Sequence, residues 1–314
     1  MNSVDTIKKP EKKKIISIIC PVFNEEESIP IFFDRIIKVF DSLKSKYNFE
    51  LLFTNNRSTD NSLEIIKNYQ KADSRIKVLT LSKNFGYQSS VLSGLKYSQG
   101  DAIFIIDVDC EDPPELLPDF IKKWEDGNDV VYGIRGKRQE SIVLQMMRKL
   151  FYRLNKLISD NEVILDMAEF SLFTSNVRDL ILENNNTFPF IRTEIAYIGL
   201  TRASISYDRE KRVAGKSNYN FIQMFPFALA GLMTSSTFFL RLPIYMLPLI
   251  ITLYTLLIFI PGITFSNIAY IIFVSSSIYI MTFLAVACLY IARIYHNNVR
   301  RPLYIIDWKN SVYH

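Results

Sequence analysis

Asp101-Ala-Ile-Phe-Ile-Ile-Asp107-Val-Asp109-Cys-Glu111-Asp112-Pro-Pro-Glu115 is the stretch that decides the fold. Ala102 to Ile106 is an unbroken, isoleucine-rich apolar run, which suits a strand buried on both faces of a mainly parallel sheet. The run ends in acid. Asp107, Asp109, Glu111 and Asp112 fall just past the strand's carboxyl end, where open α/β sheets place their ligand crevice. Pro113 and Pro114 stop the strand and can open a helix, because proline is tolerated in a first helical turn. An Asp-x-Asp pair in such a place often does no more than cap the next helix or face water. Carboxylates this crowded, however, repel one another unless a cation sits among them, and hard oxygen donors suit Mg²⁺ or Mn²⁺. Mg²⁺ takes one or two protein carboxylates and completes its shell from water and phosphate. The expectation is a metal on Asp107 and Asp109 whose other ligands are a diphosphate.

The same grammar repeats upstream. Ile15 to Phe23 reads as a first buried strand, and the Asn24-Glu-Glu-Glu-Ser28 turn opens a helix with apolar residues at Ile36, Ile37, Phe40 and Leu43. Phe49 to Thr54 and Ile76 to Leu81 are further strands, each followed by a polar turn and a helix, Ser62 to Gln70 and Gln88 to Tyr97. Asp129 to Gly133 reads as a fifth strand, and a helix follows with apolar residues from Ile142 to Leu154. Alternation at this spacing implies parallel βαβ units with helices on both faces of the sheet. The turns Asn24 to Glu26, Asn55 to Asp60, Lys83 to Gly86 and Asp107 to Asp112 should therefore meet along one sheet edge, the place for a nucleotide. They contain neither GxGxxG nor GxxxxGK[ST], which disfavours a dinucleotide dehydrogenase and a P-loop NTPase.

Composition divides the 314 residues in two. Charge is dense up to Lys216, whereas from Ser217 to Ala292 the only charged residue is Arg241, the pattern of a soluble domain followed by a membrane domain. Leu242 to Ala292 accommodates two spans of about 20 residues joined near Pro261 to Asn267. Arg241 lies before them and Arg293, Arg300 and Arg301 after, so the positive-inside rule puts both termini and the soluble domain in the cytoplasm. Tyr219 to Leu240, apolar but interrupted by Gln223 and Pro226, reads as a helix lying in the interface. The net charge of +5 comes partly from the Lys8 to Lys14 cluster, a solvated tail or a weak attraction to anionic lipid, and no nucleic-acid partner is implied. Cys20, Cys110 and Cys288 have no metal-binding spacing and read as reduced thiols. His296 and His314 lie beyond the apolar region, which leaves the soluble part without histidine chemistry. Ile15 to Cys20 is too short for a signal peptide.

Cys20-Pro-Val-Phe-Asn-Glu-Glu26, Ser58-Thr-Asp60, Asn84-Phe-Gly86, Gly100-Asp101 and Asp107-Val-Asp109 with Asp112-Pro-Pro-Glu115 occur in an order that resembles family 2 glycosyltransferases of the GT-A fold. Within that family the chain is similar to the polyprenyl-phosphate glycosyltransferases. The resemblance implies a nucleotide-sugar donor held by Pro21, Phe23, Asn24, Glu25, Asn55, Asn84, Gly86 and Asp107, with Asp107, Asp109 and Glu111 around Mg²⁺ or Mn²⁺. Leu165-Asp-Met-Ala-Glu-Phe-Ser-Leu172 resembles a segment that supplies an acid beside the reacting sugar carbon, which makes Asp166 and Glu169, with Asp109, the catalytic candidates. Arg209 to Tyr219 resembles a phosphate-gripping loop before the membrane. Arg209, Arg212 and Lys216, with Arg135 and Arg138, are the candidates for diphosphate and acceptor phosphate, guanidinium being suited to bidentate contact.

The chain also departs from the family pattern. Asn55-Asn-Arg57 stands where relatives have Asp-Asp or Asp-Asn-Gly, Glu111 replaces glutamine, Glu169 aspartate, Ser171 arginine and Asn218 lysine.

The expected organisation is a basic tail (1–14), a cytoplasmic GT-A domain (15–216), an interfacial helix (217–240), two transmembrane helices (241–293) and a cytoplasmic tail (294–314). The expected activity is inverting transfer of a sugar, a hexose from a UDP-sugar, onto undecaprenyl phosphate at the cytoplasmic membrane, by a protein that can form homo-oligomers. The rivals are a processive polysaccharide synthase, which needs more spans and a Gln-x-x-Arg-Trp motif, and a non-catalytic binding protein on a decayed transferase fold.

Overall fold

β1 (Lys14–Val22) runs through the interior of the sheet and is buried from Ile16 to Val22. The computed structural model describes residues 13–136, 167–184, 190–214 and 236–313, with Met146, Arg153, Ile158, Asp160 and Ile164 besides. Along the chain follow α1 (Ser28–Leu43), β2 (Tyr47–Asn55), α2 (Ser62–Ala72), β3 (Ile76–Thr80), α3 (Tyr87–Tyr97) and β4 (Ala102–Ile105). A turn of 3₁₀ helix at Pro114–Leu116 leads into α4 (Leu117–Glu125) and β5 (Val130–Arg135). Then come β6 (Met167–Thr174), α5 (Ser175–Glu183), α6 (Ile191–Ile198) and β7 (Arg202–Tyr207). The sheet order is β3-β2-β1-β4-β6-β5-β7.

β1 pairs in parallel with β2 and β4, β2 with β3, and β5 with β7, as expected of βαβ units. β6 is the exception. It runs antiparallel to both β4 and β5, an inversion that the apolar pattern did not foretell. Its consequence is functional: an inverted strand brings its amino end, not its carboxyl end, to the crevice. Ile105 pairs with Ser171, and continuing that register brings Glu169 level with Asp107. Behind these acids Phe104, Phe120 and Phe170 pack edge to face with centroids 4.8 to 5.2 Å apart. Such pairs add about 0.5–1.5 kcal/mol each beyond burial and fix the floor on which the acids stand.

Two long apolar helices follow, α7 (Phe238–Ile258) and α8 (Phe265–Val299), with mean hydropathy 1.7 and 2.2 in their most apolar windows. Each is long and apolar enough to cross a membrane. α7 starts at Phe238 and so includes Arg241, three residues earlier than the sequence boundary, and Asp160 accepts from the Thr237 amide and hydroxyl at 2.6 and 2.7 Å just before it. Tyr254 bonds Ser275 at 2.7 Å, Tyr279 donates to the Pro243 carbonyl at 2.6 Å, and Tyr290 donates to the Ser236 carbonyl at 2.8 Å, tying the two helices side by side. α8 runs on past Arg293 to Val299, so the expected tail from residue 294 begins as helix. Residues 303 to 313 then return to β3, where Val78 bridges Val312 and Leu81 bridges Ile306. Residues 303 to 313 thus lie along the β3 margin of the sheet. The expected helix over Ile142 to Leu154, apart from Met146 and Arg153, and the interfacial residues 217–235 lie outside the described residues.

Candidate active site

The carboxyl ends of β1, β2, β3 and β4 carry polar turns that are bonded to one another. Asn24, left-handed at φ 55°, accepts from the Thr59 amide with Oδ1 at 2.8 Å, while its own amide donates to Ser58 Oγ at 3.0 Å. Glu25 and Glu26 donate from their amides to Ser62 Oγ and Asp60 Oδ2. Asn55 is buried, its side chain spent on the Ser58 amide at 3.0 Å and the Thr80 hydroxyl at 3.4 Å. Asn56 donates to Asn84 Oδ1 and accepts from the Phe85 amide, both at 2.9 Å. Asn24 and Asn55 therefore build the wall of the crevice with their side chains. Asn84 and Gly86 stand exposed at its rim, with Gly86 at φ 88°, where glycine is the easy residue.

The acids occupy the adjoining floor. Tyr87 donates its hydroxyl to Asp107 Oδ1 at 2.9 Å. Burial, then the charges of Asp109 and Asp112, push the Asp107 carboxyl up to about 7. Asp109 Oδ1 accepts from the Glu111 amide at 3.1 Å, and the intervening Cys110 is held left-handed at φ 56°. Strain of that kind in a short acidic turn is characteristic of functional sites. Asp112 is 2% exposed and serves the frame: Tyr207 donates to it at 2.5 Å and Arg135 at 3.1 Å.

The loop after β7 lies over this turn. The Glu210 amide donates to the Glu111 carbonyl at 2.9 Å and the Val213 amide to the Asp109 carbonyl at 3.3 Å. Arg35 clamps the loop from α1 by pairing with Glu115 at 2.6 Å and Glu210 at 2.9 Å. Arg212 in consequence pairs with Glu25 and reaches Asp109 Oδ2 at 3.5 Å, while Arg209 pairs with Glu111. Two guanidinium groups thus sit directly over the Asp-x-Asp turn. Arg138, Lys216 and Asp166 lie outside the described residues.

Glu169 projects from β6 into the same crevice, 8% exposed. Its Oε1 accepts from Arg192 Nε at 2.8 Å and Gln88 Nε2 at 3.2 Å, whereas Oε2 has no partner among the described residues. Gln88 Oε1 accepts from the Ile191 amide at 3.2 Å, so α3 and α6 hold Glu169 between them. Tyr87, Gln88 and Arg192 were missed in the sequence. Tyr87 and Gln88 directly follow the recognised Gly86, a signal that was available; Arg192 follows no motif and gave none.

The oxygen-only donor set of Asp107 and Asp109 fits a hard divalent cation. Among the described residues no group of three acids, histidines or cysteines is placed to hold a metal ion by itself.

Residues 17–185, the span that contains the crevice from β1 to β6, match the glycosyl transferase family 2 model. This chain belongs to glycosyl transferase family 2. Its relatives include an uncharacterized glycosyltransferase of Bacillus subtilis (strain 168), YkcC, 35% identical over 302 residues and covering 93% of each chain. The prophage bactoprenol glucosyl transferase homolog of Escherichia coli (strain K12) is 34% identical over 235 residues, 73% of this chain and 75% of that one. The mannosyl-3-phosphoglycerate synthase of Rubrobacter xylanophilus superposes with a TM-score of 0.51 at 14% identity, covering 70% of this chain and 72% of that chain, a likeness of fold. As a family 2 glycosyltransferase the chain has the GT-A architecture expected of it, followed by the two apolar helices.

Proposed function

We propose that this glycosyltransferase moves one sugar, a hexose from a UDP-sugar, onto the phosphate of a membrane polyprenol such as undecaprenyl phosphate, with inversion at the sugar carbon. The observation that carries the reading is the Asp-x-Asp turn lying beneath Arg209 and Arg212, in a chain that also carries α7 and α8. The likeness to a bactoprenol glucosyl transferase homolog supports the lipid acceptor. In this reading α7 and α8 cross the cytoplasmic membrane, the sheet stands on its cytoplasmic side, and the divisions near residues 216, 240 and 293 separate soluble from lipid-embedded chain.

The C1–O bond to the nucleoside diphosphate breaks as the acceptor phosphate oxygen bonds C1 from the opposite face. Asp107 and Asp109 would hold Mg²⁺ or Mn²⁺, which supplies Lewis-acid stabilisation of the departing diphosphate. Glu111, paired with Arg209 through Oε2, would join that set through its other carboxylate oxygen or by leaving the arginine. Arg212 and Arg209 lie where they offset the repulsion between two anionic substrates. A phosphate monoester with a second pKa of about 6 is mostly dianionic at neutral pH, so the acceptor needs no base. Glu169, fixed by Arg192 and Gln88 with Oε2 lacking a partner among the described residues, is accordingly assigned to orient a sugar hydroxyl.

The test is to incubate the purified full-length protein with undecaprenyl phosphate, Mg²⁺ or Mn²⁺ and a panel of radiolabelled nucleotide sugars. Label entering the lipid from one donor is expected. Absence of transfer from every donor, or transfer onto a growing polysaccharide instead, refutes the reading.

A further inference from the structure

The chain leaves α8 through Arg300, left-handed at φ 50°, and Pro302, and its next residues bind the sheet beside the crevice. Val78 and Val312 exchange backbone hydrogen bonds at 2.8 Å. The Ser82 amide donates to the Ile305 carbonyl and the Asp307 amide to the Thr80 carbonyl, each at 2.8 Å. Thr80 donates its amide to Ser311 Oγ at 2.8 Å and its hydroxyl to the Asn310 carbonyl at 2.9 Å. Val312 packs on one hydrophobic core and Leu303 and Tyr304 on the other. An edge strand whose free groups would invite foreign pairing is thereby satisfied within the chain.

This docking brings Asp307 to Arg57. Arg57 Nη1 lies 3.0 Å from Asp307 Oδ2, which also accepts from Asn310 Nδ2 at 2.8 Å. Arg57 has φ 64°, a conformation that costs a bulky L-residue and costs glycine nothing. It belongs to the Asn55 to Asp60 turn, the wall tied to the β1 turn through Asn24 and to the β3 turn through Asn56. An exposed ion pair contributes little on its own. Here it acts on a strained residue, and releasing it lets the turn relax away from the crevice.

We propose that Asp307 is a positioning residue for donor recognition: through its ion pair with Arg57, the tail beyond the membrane helices sets the turn that walls the nucleotide crevice. The proposal rests on the donor reading given above. It explains why arginine is tolerated at a left-handed position, since the strap provides what glycine's freedom would otherwise provide.

The test compares wild type, Asp307→Asn, Arg57→Gly and the double variant, each as full-length protein in detergent. Hydrogen exchange at the Ser58 and Thr59 amides is the first readout and needs no ligand. Asp307→Asn is expected to speed exchange there about threefold to fivefold, the scale of a weak ion pair, while Val78 and Val312 stay protected. In the Arg57→Gly background the same substitution should change nothing. Donor KM should rise by the same factor with kcat unaltered. Unchanged exchange in Asp307→Asn, or an equal effect in both backgrounds, overturns the proposal. Should Asp307→Asn free the whole tail, the exchanged pair Arg57→Asp with Asp307→Arg decides: restored protection supports the latch and continued loss refutes it. If wild type binds none of UDP, GDP and TDP with Mn²⁺, the donor reading falls, while exchange at Ser58 and Thr59 still decides the latch.

Discussion

The Tyr87 hydroxyl donates to Asp107 Oδ1 across 2.9 Å, so the first residue of α3 holds the first acid of the Asp-x-Asp turn. The bond favours the ionised carboxyl, but burial and the neighbouring Asp109 and Asp112 outweigh it and leave Asp107 high, at about 7. A divalent cation there would offset the burial of the charge and the repulsion from both neighbouring carboxylates together.

Asp109→Ala should abolish metal-dependent transfer, a loss of at least about a hundredfold, because the departing diphosphate loses its electrostatic support. Asp109 is only partly buried, the Val213 amide bonds its backbone carbonyl, which alanine keeps, and only the Glu111 amide loses a side-chain acceptor, so the circular dichroism spectrum and the unfolding midpoint should stay close to wild-type values. Undiminished transfer refutes the metal role.

The titration of Asp107 gives a signed pH effect. A carboxyl raised to about 7 in the folded protein holds its proton more tightly than in the unfolded chain, where the value is about 3.9. In the metal-free protein its contribution is therefore fully present below about pH 4 and lost as pH rises through about 7. Mn²⁺ must displace that proton, so the rise in Tm that it causes should grow between pH 5 and 7 and level off above. Asp107→Asn should remove that pH dependence; a Tm rise equal at pH 5 and pH 8 in wild type contradicts the assignment.

Arg192→Met leaves the buried Glu169 carboxyl without its cation. A broken buried pair costs about 3–5 kcal/mol, and since Arg192 is one-third exposed the expected loss is nearer about 2 kcal/mol, read from urea unfolding. Adding Glu169→Gln should recover part of that stability while transfer stays low. Recovery of transfer as well would remove Glu169 from the reaction.

A Cβ on Gly100 would lie 2.6 Å from both the Ser17 amide nitrogen and the Ala102 carbonyl oxygen, backbone atoms of two paired strands. Gly100→Ala should cost about 1–3 kcal/mol. Gly94→Ala meets Ile19 Cγ2 at 2.5 Å and Cγ1 at 3.3 Å, a buried β-branched side chain that is stiff at χ1, and should be destabilising on the same scale in the same unfolding measurement.

Much of this architecture was legible in local pattern. Apolar runs ending in polar turns located β1 to β5 to within two residues, and with them Asn24, Asn55, Asp107 and Asp109 on one edge. Neither β6 nor β7 was read as a strand, and the inversion of β6 was not legible either, because direction is decided by where the chain returns and not by apolar character. Arg192 belongs to a short helix with no motif, and it meets Glu169 only because β6 is inverted. The tail escaped for another reason: residues 303 to 313 touch β3 at two separated bridges, too few to impose a period-two pattern. Arg57 did stand out as a departure from the family, but its partner lies 250 positions away in sequence.

Tyr290 meets Ser236, two residues ahead of α7, yet α8 continues nine residues beyond it before the chain turns back to β3. At 1.5 Å per residue this is a rigid post of about 13 Å. On the proposed reading, in which α7 and α8 cross a bilayer, the post and the strap together would set the elevation of the crevice above the lipid surface. The acceptor phosphate would then have to come up to the crevice, over a distance that the post's length governs.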